Sequence, residues 1–191
     1  MNNLYSIPNM LSLFRLALVP VLISLAIAGH GKIFLVLLAL SLVSDVLDGY
    51  MARKLQQTSE LGARLDSWGD ILTYGAMILG LYLIWPSIFH EQAWFLFAAM
   101  LSYILPLLLA LGRFGTYPSY HTRGAKLAAI LIAPAYYFLI LWGGELFFRA
   151  VIIFRVLVAL EEVAITLVLK SPKTNVDSIF NLGLGRSKDL K

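Results

Sequence analysis

The 191-residue chain contains no cysteine, which excludes a disulfide framework and any Cys-based metal site. Histidine is scarce as well: His30, His90 and His121 are scattered, and no Ser–His pair for covalent catalysis stands out. Residues 1–11 carry no Lys or Arg. With Arg15 interrupting the apolar stretch that follows, this argues against a cleaved signal peptide, although Ala26-Ile27-Ala28 has the form of a cleavage site. Internal repeats and low-complexity segments are absent too. What the chain has is hydrophobicity: 60% of its residues are apolar, against about 45–50% in an ordinary soluble domain, and the mean hydropathy is +0.81. A membrane-crossing helix needs roughly 20 mostly apolar residues. Six runs qualify, at residues 12–29, 32–50, 69–86, 93–112, 125–143 and 146–169. The expected fold is all-α, a polytopic membrane bundle of about six helices. Residues 1–170 read as one membrane domain and residues 171–191 as a polar cytoplasmic tail.

Short polar or glycine-containing breaks separate the runs. Ser12 reads as the N-cap of the first helix, Gly29-His30-Gly31 as a tight turn, and Gly143-Gly144 as the last turn. Pro86 and Ser87 end the third run, and residues 112–124 separate the fourth from the fifth. Ala76 and Gly80, four apart, suit close helix packing. Trp85, Trp94, Trp142, Tyr117 and Tyr120 fall near segment ends, where an aromatic belt is expected. With the N-terminus in the cytoplasm, Arg53, Lys54 and Arg64 share one cytoplasmic loop, and Arg113, Arg123 and Lys126 lie at another. The same choice puts Lys170, Lys173, Arg186, Lys188 and Lys191 in a cytoplasmic tail and leaves only Lys32 and Arg149 toward the outside, Arg149 snorkelling outward. That is the positive-inside pattern.

The chemistry is concentrated in acidic residues. The chain has eleven acidic residues, and four aspartates fall within residues 45–70. Asp45 and Asp48 are three apart near the end of the second run; Asp66 and Asp70 are four apart near the start of the third. Residues so spaced share a helix face. A short connection makes the two helices antiparallel neighbours, so four carboxylates can converge at one membrane depth. Arg53, Lys54 and Arg64 are too few to neutralise them, whereas divalent cations suit such oxygen donors. Paired ions of this kind recur in phosphoryl displacement. The structural alternative is that these aspartates are capping residues or partners of Arg53 and Arg64, but charge inside a membrane segment is costly and usually functional.

Asp45-x-x-Asp48-Gly49-x-x-Ala52-Arg53, then eight residues, Gly62, three residues, Asp66, three residues and Asp70 resembles the signature of the CDP-alcohol phosphotransferase family at every position. The opening Ile7-Pro8-Asn9-Met10-Leu11-Ser12-Leu13-Phe14-Arg15 is similar to that of bacterial members making phosphatidylglycerol phosphate, with Ser12 where Thr is common. Beyond Asp70 the likeness is in hydropathy alone. The resemblance implies an enzyme that transfers the phosphatidyl group of a CDP-alcohol such as CDP-diacylglycerol to a small polar acceptor alcohol and releases CMP. It further implies two Mg2+ or Mn2+ ions held by Asp45, Asp48, Asp66 and Asp70, with Asp70 taking the acceptor's proton. Gly49, Ala52, Arg53 and Ser59 would contact the CDP moiety, with Asn9 and Ser12 closing the nucleotide pocket. The expected setting is the lipid bilayer of the cell membrane, with a homodimer as one arrangement, a cytoplasm-facing site and no nucleic-acid partner.

The acceptor is less legible. Arg113, Arg123, Lys126 and Arg155 offer cations for a phosphorylated acceptor such as glycerol 3-phosphate or inositol 1-phosphate. Yet Tyr120-His121-Thr122-Arg123-Gly124-Ala125-Lys126 departs from the Lys-rich stretch expected of phosphatidylglycerol phosphate synthases. Arg155 and Glu162, about two helical turns apart, can equally form a buried ion pair. A small transporter or cation channel would also carry intramembrane aspartates. Such proteins often show two related halves with broken helices, which this sequence lacks.

Overall fold

The structure, a computed structural model, describes residues 6–55, 60–115, 122–169 and 171. Among them are seven helices: α1 (Ile7–Ile27), α2 (Gly31–Lys54), α3 (Glu60–Ile84), α4 (Pro86–Glu91), α5 (Ala93–Phe114), α6 (Arg123–Trp142) and α7 (Glu145–Val168). The six long helices coincide with the six apolar runs. Four of them, α1, α2 through Met51, α5 and α6, are long and apolar enough to cross a membrane; in α3 the apolar part is the shorter Trp68–Ile84. By helix composition the chain is a multi-pass membrane protein.

Two local expectations need correcting. The first helix starts at Ile7, and its N-cap is Ser6, whose side chain accepts from the Asn9 N–H at 3.4 Å. Pro8 fits that first turn because its missing N–H would have had no partner there. Ser12 is therefore interior to the helix. Pro86 does end the third run, but it also opens the short α4, again from a first-turn position.

The chain divides into two compact units, residues 1–91 and 92–191. In the first, α1 packs along both α2 and α3, which touch each other less. The buried stripe of α1 is polar at its start (Asn9, Ser12, Arg15) and apolar afterwards (Leu18, Val19, Leu22, Ala26). On α2 the order reverses, with Phe34, Leu35 and Leu38 preceding Ser41, Ser44 and Asp48. On α3, Thr73 precedes Ala76, Met77 and Leu81. Antiparallel chain direction thus brings the polar ends of the three stripes to one level. Phe34 is fully buried, and Gly80 provides its space: a Cβ on Gly80 would collide with the ring.

In the second unit α7 packs against α5 and α6. Its core is built from small and apolar groups, among them Ala110, Ala128, Ala135, Leu139, Val151, Ile152 and Val158. Gly143, at φ 66°, ends α6 in the left-handed conformation that glycine tolerates best.

Candidate active site

The aspartates do converge. One carboxylate oxygen from each of Asp45, Asp48 and Asp66 lies within 4.8 Å of the others. Asp48 is buried, and its Oδ2 accepts a hydrogen bond from the Ser12 hydroxyl at 2.7 Å. Ser12 thus fixes a carboxylate instead of capping a helix. Asn9, one turn earlier on α1, is also buried. Gly49 follows Asp48 and is half-buried. Ser59 lies outside the described residues, as do the side chains of Ala52 and Arg53.

At the centre of the cluster stands Arg15, a residue whose part in it the sequence reading does not anticipate. Its side chain is 1% exposed and forms ion pairs with Asp45, Asp66 and Asp70. Nη1 reaches Asp45 and, at 3.1 Å, Asp70; Nη2 donates to Asp66 Oδ1 at 2.9 Å and to the Asp66 carbonyl at 3.0 Å. Asp70 therefore joins the other three through the guanidinium. Gly69 makes this possible, since a Cβ there would lie 2.5 Å from Arg15 Nε and 2.8 Å from Cζ. The carboxylates that Arg15 meets are a third to a half exposed. They form an accessible rim over a buried cationic floor. The available signal was Arg15 itself, a charge inside an apolar run, but its partners lie 30 to 55 positions away in sequence.

A guanidinium carries one charge against four carboxylates, so most of the negative charge is left for another cation. The donors around the rim are all hard oxygen atoms, and three come close together. That set fits a divalent cation of the Mg2+ or Mn2+ kind.

The cations considered for the acceptor lie in the second unit and fall into two classes. Arg113, Arg123 and Lys126 are exposed; Arg123 and Lys126 begin α6 just after its N-cap Thr122, and Arg113 donates to the Leu169 carbonyl at 3.3 Å. Arg155 is buried and occupied. It lies 3.2 Å from Glu162 Oε2, donates to the Ser102 carbonyl at 3.0 Å and sits 4.3 Å from the centre of the Tyr103 ring. The ion pair expected from the seven-residue spacing is present. Arg149 pairs with Glu145 at 2.6 Å and donates to Gln92 Oε1 at 2.9 Å.

Comparison with known proteins supplies an independent line. Residues 5–168 match the family described as CDP-alcohol phosphatidyltransferase. A Mycobacterium tuberculosis relative is 43% identical over 72 residues, 37% of this chain and 34% of its own, so the chain spans about a third of that relative's length. An Aquifex aeolicus CDP-diacylglycerol–glycerol-3-phosphate 3-phosphatidyltransferase is 35% identical over 74 residues, 38% of this chain and 42% of the relative. A Streptomyces coelicolor cardiolipin synthase (CMP-forming) is 34% identical over 147 residues, 73% of this chain and 67% of the relative. No solved structure gives a significant match.

Proposed function

Because this chain belongs to the CDP-alcohol phosphatidyltransferase family, we propose that it transfers the phosphatidyl group of CDP-diacylglycerol to an acceptor hydroxyl and releases CMP. The observation that carries the reading is the meeting of Asp45, Asp48 and Asp66 within 4.8 Å in a membrane helix bundle. Asp45, Asp48 and Asp66, with Asp70 beside them, would hold two divalent cations, either Mg2+ or Mn2+. When bound, such a pair supplies positive charge to the pyrophosphate and to the departing CMP.

The chain's own groups do the rest. Ser12 orients Asp48 through their hydrogen bond. Asp70 accepts the proton of the acceptor hydroxyl as general base, which frees the oxygen to attack phosphorus. Gly49 and Ala52 leave room for the cytidine, Arg53 and Ser59 contact the CDP moiety, and Asn9 and Ser12 close the nucleotide pocket. Residues 1–170 form the catalytic membrane domain, and the chain ends and the segment 53–64 lie in the cytoplasm, so the substrates reach the cluster from that side.

The named relatives favour an acceptor built on glycerol. One is named for glycerol 3-phosphate and another for forming cardiolipin with CMP, so glycerol 3-phosphate and a glycerol-headed lipid are the first two candidates. Inositol 1-phosphate is the third candidate. Arg113, Arg123 and Lys126 are available for the acceptor's phosphate, and Arg155 would act through the helix it steadies. The test is CMP release from CDP-diacylglycerol by purified protein, with each acceptor supplied in turn. Release is expected with one acceptor, and it should vanish on addition of chelator and return with Mg2+ or Mn2+. Full activity in metal-free buffer would sink the role given to the cations.

A further inference from the structure

We infer that Arg15 is the resident counter-charge of the carboxylate cluster: it gathers Asp45, Asp66 and Asp70 before a divalent cation arrives, and its charge then opposes that cation's binding. The inference rests on the metal reading proposed above. An arginine placed only to set topology keeps its head in water along an apolar stem. Arg15 does the opposite. Its side chain is 1% exposed, beneath carboxylates that are 34–49% exposed. The fold has made space for it at Gly69, where any side chain would meet the guanidinium.

The bonding pattern defines the role. Arg15 engages a single oxygen, Oδ1, of each of Asp45, Asp66 and Asp70. The opposition it offers a cation is that of its charge. Without Arg15 the same carboxylates would face one another with no buried positive charge between them, a strongly unfavourable arrangement in a low-dielectric setting. Arg15 is thus a positioning residue with two opposite effects: it stabilises the metal-free protein and weakens metal binding.

The experiment uses the full chain in detergent micelles, with Mn2+ binding followed by the electron spin resonance of the free ion and thermal unfolding recorded in chelator. Arg15→Gln should bind Mn2+ roughly threefold to tenfold more tightly, as expected for losing one nearby unit charge, and should unfold at least about 5 °C lower without metal. Gly69→Ala pushes the guanidinium aside while leaving its charge in the chain. It should shift both readings in the same directions by smaller amounts, and it serves if Arg15→Gln does not fold. A role confined to structure would lower the unfolding temperature and leave Mn2+ affinity unchanged or weaker; that result overturns the inference. If the unsubstituted protein takes up no Mn2+, the metal reading fails and the inference falls with it. Mn2+ binding by the unsubstituted protein with no gain in either variant removes the inference alone.

Discussion

At the scale of single residues, the four aspartates have different surroundings and should fail differently when changed. Asp48 is buried against Ser12, Asp45 and Asp66 belong to the close trio, and Asp70 is linked through Arg15. Asp70→Asn is expected to keep most of the CDP-diacylglycerol affinity while turnover falls by about 10²–10⁴-fold, the usual cost of losing a general base. Asp45→Asn and Asp66→Asn should weaken nucleotide binding as well, since they remove members of the trio. Measuring CDP-diacylglycerol binding beside CMP release at saturating Mg2+ separates the two cases; normal turnover by Asp70→Asn would remove it from the role of base. These carboxylates are legible in the sequence because their partners are three or four positions away on one helix face. Arg15 is not. Its contacts depend on how α1 lies against α2 and α3, and neither spacing nor composition encodes that.

At the scale of the helix, the second unit offers a sharper test of what α7 is for. Arg155 and Glu162 are 6% and 14% exposed and form one ion pair. Leaving one partner of a buried pair without the other costs about 3–5 kcal/mol, whereas replacing both with apolar groups is often neutral or stabilising. Glu162→Leu should therefore lower the unfolding temperature markedly, and adding Arg155→Met should restore most of it. If Arg155 acts only by steadying α7, the double variant also keeps the acceptor KM of the unsubstituted protein. A raised acceptor KM in a stable double variant would show that Arg155 meets the acceptor. Hydropathy alone locates all six long helices, although only α1, α2, α5 and α6 have both the length and the apolarity to cross the bilayer. Their starts are less legible: Ser6 and Ser12 both have the chemistry of a cap, and only the first-turn placement of Pro8 decides between them. The six-residue α4 is too short to leave any periodic signature.

For the whole molecule, the proposed orientation rests on where Lys and Arg fall, and the absence of cysteine makes it easy to test. In Ser59→Cys the introduced thiol is the sole one in the chain. An impermeant reagent applied outside intact cells should leave it unlabelled, and the same reagent should label it once the membrane is opened. Labelling from outside would reverse the proposed topology. The general plan of a multi-pass helical protein is legible because bilayer thickness fixes helix length. The division into two units, with α1 serving one and α7 the other as the helix against which its neighbours pack, depends on tertiary contacts that a one-dimensional pattern does not contain. The placement of Arg15 has a further consequence for biosynthesis. The first span leaves the ribosome carrying a guanidinium whose partners do not yet exist: Asp45 follows 30 residues later and Asp70 follows 55 residues later. At about 5–20 residues per second, that guanidinium waits several seconds for its full set of carboxylates, and an arginine inside a span is opposed during insertion by up to about 2.5–3.5 kcal/mol, the figure for a span's centre. The first three spans should accordingly be released into lipid together, as one nascent unit.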